Sequence, residues 1–307
     1  MQSLWMLFAS FVFAVMGVCV KLASGLYSTS EIVMYRGLVG ATLLFCLIRL
    51  RGGSLKTTMA WQHLMRGAVG VTSLWMWFYS IAQLPLSTAM TLNYMSPIWI
   101  AAILFAAGWW QAKNQLEWPL VAAIAMSFVG VTLLLQPAFQ SQQFGVALVA
   151  LVSGMVTALA YLQVRKMGLM GEPEYRVVFY FSLMNILAGV IGNVLGAGAG
   201  PVLWHAHTSG YGVGLLLAIG VCATMAQIAM TRAYRLGKTL VVANLQYTGI
   251  VFSSVWGVFV FGDVFDWHSW AGIAVILLSG IAATFYNTRM SARGAAVAKS
   301  DPIAGEV

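Results

Sequence analysis

At residues 93–97 the chain reads NYMSP, and 152 residues later, at 245–249, it reads LQYTG. Each stretch lies deep inside an apolar run and ends on a residue that interrupts helices, Pro97 in the first and Gly249 in the second. Interruptions at corresponding places in two halves of an apolar chain are typical of secondary transporters built from inverted repeats, and they point to the binding site.

The same offset of 152 residues aligns further positions of the two halves. Pro85 falls on Gly237, another pair of helix breakers. Identical residues coincide at Leu84 and Leu236, Ile98 and Ile250, Trp118 and Trp270, Ala122 and Ala274, Ile124 and Ile276, Ser127 and Ser279, and Thr132 and Thr284. If each half contains five spans, the second half must enter the bilayer inverted relative to the first.

The composition indicates an integral membrane protein, because 61% of the 307 residues are hydrophobic and only 8% are charged. The net charge of +8 arises from basic residues at span ends, so we expect no nucleic-acid partner. The three cysteines have no metal-ligand spacing, and the chain has no catalytic set and no phosphate loop. We therefore expect no enzyme activity, no metal and no cofactor.

Apolar runs long enough to cross a bilayer predict an all-α integral membrane fold of ten transmembrane helices, arranged as two inverted five-helix repeats. The predicted spans are 4–23, 31–49, 64–84, 87–108, 116–135, 145–164, 175–197, 211–232, 239–261 and 268–288. The first repeat is predicted to cover 1–136 and the second 145–288, followed by a disordered cytoplasmic tail at 289–307.

Basic residues predict the orientation of these spans. With both termini in the cytoplasm, 14 of the 16 Lys and Arg residues lie on the inner side, and only Lys21 and Arg36 lie towards the outer side. Such an asymmetry is the signature of the positive-inside rule. It predicts a multi-pass inner-membrane protein with cytoplasmic N- and C-termini, and an even number of spans.

The stretch FYSIAQLPLS at 78–87, followed by YMSP at 94–97, resembles the drug/metabolite transporter superfamily in its EamA-type ten-helix branch. The second half has a counterpart in AYRLGK at 233–238, with Tyr247 beyond it. The resemblance implies a carrier, and members of the branch transport amino acids, vitamins, nucleotide-like cofactors and other metabolites.

The chain departs from this family pattern at two places. Gly-Glu often ends the fourth and ninth spans of the family, whereas this chain has Trp110-Gln111 and Gly262-Asp263 there. A role that depends on the first glutamate is therefore in doubt.

Polar side chains beside the two helix breaks are the first candidates for substrate binding, because carriers of this kind bind their solute near the membrane midplane. They are Asn93 and Tyr94 before Pro97, and Asn244, Gln246 and Tyr247 before Gly249. Interhelical hydrogen bonding is the alternative use of such groups.

Further candidates lie on one face of three other spans. They are Trp75 and Tyr79, Thr157 and Tyr161, and Gln227. A cavity lined by these groups would suit a flat or amphipathic organic solute. For Trp75 and Tyr79, the alternative is packing against lipid or at the membrane interface.

Lys21, Arg36 and Glu31 form a candidate outer gate or an anchor for a substrate carboxylate. The alternative is that the Lys21 side chain reaches the interface while Arg36 pairs with Glu31. Carboxylates are otherwise confined to span ends, whereas ion-driven carriers usually hold an acid within the membrane. This pattern favours facilitated transport or exchange.

Together these features predict an inner-membrane carrier of small organic metabolites, with amino acids or related zwitterions as the first substrate class. A flat cofactor or vitamin, riboflavin-like or S-adenosylmethionine-like, is the alternative among carriers. A membrane-embedded enzyme and a non-transporting scaffold or receptor are the alternatives of other classes. The expected partners are the solute and the lipid bilayer, with a homodimer left open.

Overall fold

The structure, a computed structural model, describes residues 4–110, 143–195 and 209–264 apart from 238, with short pieces between 122 and 133 and between 266 and 285. Side chains are outside this description at 104, 105, 107–110, 239–241 and 244. The described helices are α1 (Leu4–Ala23), α2 (Thr29–Leu50), α3 (Ala60–Gln83), α4 (Leu86–Asn93), α5 (Ser96–Trp110), α6 (Phe144–Leu169), α7 (Glu174–Leu195), α8 (Gly210–Leu236), α9 (Thr239–Gln246) and α10 (Thr248–Phe261).

Five helices of the described part, α1, α2, α6, α7 and α8, are long and apolar enough to cross a membrane. Large apolar side chains such as Phe8, Phe11 and Leu43 are exposed on the outside of the bundle, whereas Asn93 and Asn185 are buried. This distribution is expected when the solvent is lipid. The predicted multi-pass, all-helical membrane fold is confirmed at this level.

The predicted spans at 87–108 and 239–261 are each two helices rather than one. α4 and α5 replace the first, and α9 and α10 replace the second. Most of the predicted span at 116–135, part of the predicted span at 268–288, and the whole predicted tail at 289–307 lie outside the described residues.

Local hydrogen bonds fix where several helices begin and end. Ser28 accepts the Glu31 amide while Glu31 accepts the Ser28 amide, which is a complete capping box at the start of α2. Ser209 accepts the Gly212 amide at the start of α8. α10 ends at Gly262, whose φ of 65° is in the left-handed region that glycine adopts without strain.

Small residues let α2 and α7 approach closely. A Cβ added at Gly37 would lie 2.6 Å from the Ser182 carbonyl oxygen, and one added at Gly189 would lie 2.7 Å from the Met34 amide nitrogen. Because backbone atoms cannot move aside, only glycine fits at these positions. Glycine at helix contacts is a common means of packing membrane helices, since it increases van der Waals contact between backbones.

The remaining long helices also pack in pairs, with one helix of each pair from each half of the chain. α1 packs on α8, α3 packs on α6, and α2 contacts α8 as well as α7. α4 and α5 lie against α6, while α9 and α10 lie against α1. The short helices therefore lie at the centre of the bundle, which positions their breaks among α1, α3, α6 and α8.

Candidate functional site

The first helix break lies between α4 and α5, at Tyr94 and the residue after it. The Tyr94 amide donates to the Met90 carbonyl at 2.8 Å, so α4 is hydrogen-bonded up to the break. Pro97 lies in the first turn of α5, where a missing N–H is tolerated. Gly154 of α6 packs against this break, since a Cβ there would lie 2.8 Å from the Leu92 carbonyl oxygen.

The second helix break lies at Tyr247, between α9 and α10. The Thr248 hydroxyl donates to the Leu245 carbonyl at 2.7 Å. Gly249 follows in the first turn of α10, and a Cβ there would overlap the ring of Tyr94. The missing side chain of Gly249 thus leaves the space that Tyr94 occupies, and the two helix breaks pack directly on each other.

Gln246 connects three helices at this crossing. Its Nε2 donates to the Ser96 hydroxyl and to the Tyr161 hydroxyl, each at 3.2 Å. Gln246, Ser96 and Tyr161 are all buried. Hydrogen bonds among buried groups define one arrangement of the helices, because each unpaired group would cost free energy.

Asn93 forms a second set of hydrogen bonds on the other side of the first break. Its Nδ2 donates to the Ser153 hydroxyl at 2.8 Å and to the Thr157 hydroxyl at 3.2 Å. Ser73 of α3 is hydrogen-bonded to Thr157 and donates to the Ser153 carbonyl at 3.1 Å. The Asn93 amide therefore holds α4 to α6. This is the interhelical hydrogen bonding that the sequence offers as the alternative to substrate binding.

A narrow cavity of about 40 Å³ lies beside these networks. Its wall includes the aromatic residues Phe13, Trp77, Tyr94, Tyr161 and Phe181. Its polar groups come from Arg66, Ser73, Asn93, Thr157 and Gln227. A cavity of this size holds a few water molecules, whereas sites for organic ligands have volumes of roughly 300–1,000 Å³. Helices must separate before an organic solute can enter.

Arg66 supplies the positive charge of the cavity. Its side chain is buried, and its guanidinium carbon lies 4.2 Å from the centroid of the Phe181 ring. Nε and Nη1 are buried without a hydrogen-bond partner among the described residues. Gly70, one turn further along α3, leaves space for this guanidinium, because a Cβ there would overlap Nη1.

Sequence reasoning grouped Arg66 with the cytoplasmic span ends and therefore missed it. A signal was present in the spacing of Arg66, Gly70, Ser73 and Trp77, which share one face of a helix. All four line the cavity. An arginine inside the first turn of a predicted span, on the face that carries a glycine and a serine, is a candidate for a cavity residue.

The other predicted site residues fall into two groups. Asn93, Tyr94, Thr157, Tyr161 and Gln227 line the cavity, and Gln246 is hydrogen-bonded to Tyr161.

The second group does not line the cavity. Trp75 packs against Gly192 of α7, and the Tyr79 side chain is 44% exposed. Tyr247 is buried, and its hydroxyl has no hydrogen-bond partner among the described residues. The Asn244 side chain lies outside the described residues.

Lys21 lies at the end of the bundle where α1 and α3 finish. Its Nζ donates to the Leu84 carbonyl and lies 5.4 Å from the centroid of the Phe261 ring. Asp263 follows α10 at the same end. Burial raises the pKa of the Asp263 carboxyl above its usual range, and the nearby Lys21 ammonium partly offsets this rise. Lys21 thus connects α1, the α3–α4 junction and the end of α10.

Arg36 and Glu31 have separate roles in α2. The Glu31 carboxylate accepts the Ser28 amide at 2.8 Å as part of the helix cap. Arg36 is buried, and its guanidinium carbon lies 5.2 Å from the centroid of the Phe181 ring. Arg36 therefore contacts the same phenyl ring as Arg66.

Comparison with known proteins places this architecture in a family. The EamA-like transporter family matches residues 1–136. The pseudopaline exporter CntI of Pseudomonas aeruginosa is 32% identical over 279 residues, which cover 89% of this chain and 92% of that protein. The chain belongs to the EamA-like transporter family.

A further transporter and a solved structure are also similar to this EamA-like protein. A riboflavin transporter of Vibrio cholerae is 25% identical over 302 residues, which cover 95% of each chain. A solved structure has the same fold, with a TM-score of 0.67 and 17% identity over 92% of this chain and 98% of that chain. The family and its named relatives are transporters, so this EamA-like protein is a membrane transporter of small molecules and not an enzyme.

The cavity of the EamA-like protein offers recognition chemistry of two kinds. Hydrogen-bond donors and acceptors come from the guanidinium of Arg66, the amide of Gln227 and the hydroxyl of Tyr161. Flat apolar surfaces come from Trp77 and Phe181. A lining of this kind is chemically complementary to an organic solute with a charged or polar end and an apolar or planar body.

Proposed function

We propose that this transporter is an inner-membrane carrier of amino acids or related zwitterions, working by facilitated transport or exchange. The solute carboxylate binds the guanidinium of Arg66, and the solute side chain packs against Trp77 and Phe181. Membership of a transporter family supports the carrier, and the chemistry of the cavity supports the substrate class.

The observation that carries this proposal is the buried guanidinium of Arg66 in the cavity wall. Two of its nitrogen atoms lack a hydrogen-bond partner among the described residues, although a buried charge without partners costs several kcal/mol. A carboxylate forms paired hydrogen bonds with guanidinium more readily than any neutral group does. A bound carboxylate would therefore satisfy the groups that the protein leaves open.

The arrangement of the helices supports two inverted five-helix repeats. An offset of 152 residues maps α3 onto α8, α4 onto α9 and α5 onto α10, and chain order then pairs α1 with α6 and α2 with α7. The contact of α1 with α8 then maps onto that of α3 with α6, and the contact of α2 with α7 maps onto itself. A set of helix contacts that stays the same when the two halves are exchanged is expected from a two-fold axis in the membrane plane.

Alternating access follows from this arrangement. Two halves related by inversion can rock about a fixed midplane site, exposing it first to one side and then to the other. The crossing of the two helix breaks, where Tyr94 packs on Gly249, is the pivot. The cavity of about 40 Å³ is then the closed state between two open states. Loop charges support cytoplasmic N- and C-termini of the whole chain.

Facilitated transport or exchange is supported by the cavity lining. Among the described residues around the cavity there is no carboxylate that could carry a coupling proton. Uptake into proteoliposomes should therefore equilibrate with the external solute and should not respond to a protonophore. If the solute accumulates above its external concentration and a protonophore abolishes this accumulation, facilitated transport or exchange is contradicted.

A carrier of a flat cofactor or vitamin is the second candidate. The aromatic wall of Trp77, Tyr94 and Phe181 is suited to stacking a planar ring. The Vibrio cholerae relative transports riboflavin and covers nearly the whole chain. This candidate uses the same cavity but does not need a carboxylate at Arg66.

A thermal-shift panel distinguishes the two candidates. Purified protein is heated with single amino acids, nucleosides or vitamins, because a ligand that binds the folded state raises the apparent Tm. We expect amino acids to raise the Tm of the wild type and of Arg49→Gln, which removes an exposed arginine. The same amino acids should leave Arg66→Gln unchanged. A shift with riboflavin alone would favour the second candidate.

A further inference from the structure

Two arginines converge on one phenyl ring inside the helix bundle. Arg36 and Arg66 come from α2 and α3, and each side chain is only 3% exposed. Their guanidinium carbons lie 5.2 Å and 4.2 Å from the centroid of the Phe181 ring. Two positive charges therefore lie beside the same phenyl ring, shielded from bulk water.

Protein carboxylates do not offset these charges. Among the residues that the structure describes, no Asp or Glu forms an ion pair with either arginine. The nearest acidic residue along α2 is Glu31, and its carboxylate is engaged by the Ser28 amide in the helix cap. Buried like charges repel each other, so a bound group of opposite charge would stabilise the bundle.

The same region holds other buried polar atoms without partners. Nε of Arg36, Nε and Nη1 of Arg66, and both amide atoms of Asn185 have no hydrogen-bond partner among the described residues. Asn185 lies one turn after Phe181 on the same face of α7. Since buried polar groups nearly always find partners, a bound polar ligand would satisfy these atoms.

We propose that Arg36, Arg66 and Asn185 form a double anion site, and that the preferred solutes carry two carboxylates. This inference rests on the proposed carrier function and narrows its substrate class. A monocarboxylate satisfies one guanidinium and leaves the other unpaired. A dicarboxylate satisfies both guanidinium groups, and its carbon chain lies against Phe181. The Asn185 amide can then form a hydrogen bond with either carboxylate.

Counterflow in proteoliposomes tests the double anion site with matched pairs of solutes. Glutamate is compared with glutamine, and aspartate with asparagine, because each pair differs by one charge at constant size. For the wild type we expect a half-saturating concentration at least about tenfold lower for the dicarboxylate of each pair. In Arg36→Gln this preference should fall to within about twofold, mainly through loss of dicarboxylate affinity.

Arg49→Gln is the matched control, because Arg49 lies on the same helix over the Phe45 ring but is exposed. It should keep the preference of the wild type. If Arg36→Gln does not fold, Arg36→Lys keeps the charge and loses the paired hydrogen bonds, so it should weaken the preference partially.

Two results would overturn the double anion site, and they are distinct. Equal transport of glutamate and glutamine by the wild type would refute the two-carboxylate preference and leave the proposed amino-acid carrier intact. Transport of none of the four solutes would refute the double anion site, and uptake of an amino-acid mixture then decides whether the carrier fails as well.

Discussion

At the scale of single residues, the site depends on the Arg66 side chain and on the lack of a side chain at Gly70. The guanidinium of Arg66 reaches the cavity because Gly70 leaves the space beside it empty. The ring of Phe181 supports its other side at 4.2 Å. A buried arginine held between a glycine and an aromatic ring loses little freedom on binding, so its hydrogen bonds are available to a solute.

Replacing Arg66 tests this role directly. Arg66→Gln should reduce transport of carboxylate solutes by about 10- to 100-fold, because a hydrogen bond to a charged group is lost in a buried site. Arg66→Lys should retain part of the activity, since the charge remains without the paired geometry. Initial uptake rates in proteoliposomes measure both. Equal rates for Arg66→Gln and the wild type would remove Arg66 from the site.

Gly70→Ala should disable the site without weakening α3. The added methyl group would overlap the Arg66 guanidinium and would lie 2.8 Å from Cε2 of Phe181, whereas alanine favours the helix by about 1 kcal/mol. We expect uptake to fall as in Arg66→Gln, with helix content by circular dichroism unchanged. Gly214→Ala is the control, because no atom lies within 4 Å of the added group. Full activity in Gly70→Ala would contradict the steric argument.

The sequence pattern selects the residues beside the helix breaks, and it selects Arg36 as a candidate carboxylate anchor, whereas it does not select Arg66. Asn93, Tyr94 and Gln246 are polar groups next to helix breakers, and pattern alone selects them. Arg66 was assigned to the inner span ends, since charge statistics do not reveal which way a side chain points. Tyr79 shows a second limit of the sequence. Helical spacing places Tyr79 on the same face as Trp75, but it does not show that this face turns away from the cavity.

At the scale of helices, the two breaks form one contact. The sequence predicts breaks at corresponding places in two spans, but the packing of Tyr94 on Gly249 depends on how the halves are placed together. The hydrogen bonds of Gln246 to Ser96 and Tyr161 add a polar link at the same crossing. Contacts between distant parts of the chain cannot be derived from either span alone.

Gly249→Ala tests this crossing. The methyl group would overlap the ring of Tyr94, which is 1% exposed and has no free space to enter. We expect reduced transport and a lower apparent Tm, since overpacking a buried contact costs about 1–3 kcal/mol. Gly145→Ala, with open space around the added group, should behave as wild type. The same Tm for both variants would show that the breaks do not need this close contact.

At the scale of the whole molecule, contacts between the two halves close one end of the bundle. His63 Nε2 lies 3.0 Å from the Glu172 carboxylate, and both side chains are buried. Arg176 donates to the Ser54 carbonyl at 2.8 Å, and Tyr180 donates to the Leu55 carbonyl at 2.8 Å. In the topology predicted from loop charges this is the cytoplasmic end, so these contacts must separate when the site opens inwards.

His63→Ala should weaken this closure. Removal of the imidazole leaves the buried Glu172 carboxylate short of a partner, which costs about 1–3 kcal/mol. The apparent Tm in detergent should fall clearly further than in His268→Ala, because the His268–Asp266 pair is exposed to solvent. An equal fall in both variants would show that the His63–Glu172 contact does not hold the halves together.

Membrane topology stays a prediction from the sequence at this scale. Fourteen basic residues on one side indicate an orientation, and an even span count follows from it. The ten described helices, by contrast, fall in only eight of the predicted apolar runs, because two runs are divided by breaks. Hydropathy measures how apolar a segment is, and it does not reveal a helix break of one or two residues inside that segment.

Uptake of a radiolabelled amino-acid mixture into proteoliposomes preloaded with the unlabelled mixture tests the proposed carrier most directly. Wild type and Gly214→Ala should take up label well above protein-free liposomes, and Arg66→Gln should remain near that background. No uptake by the wild type would contradict the amino-acid carrier, and equal uptake by wild type and Arg66→Gln would contradict the site.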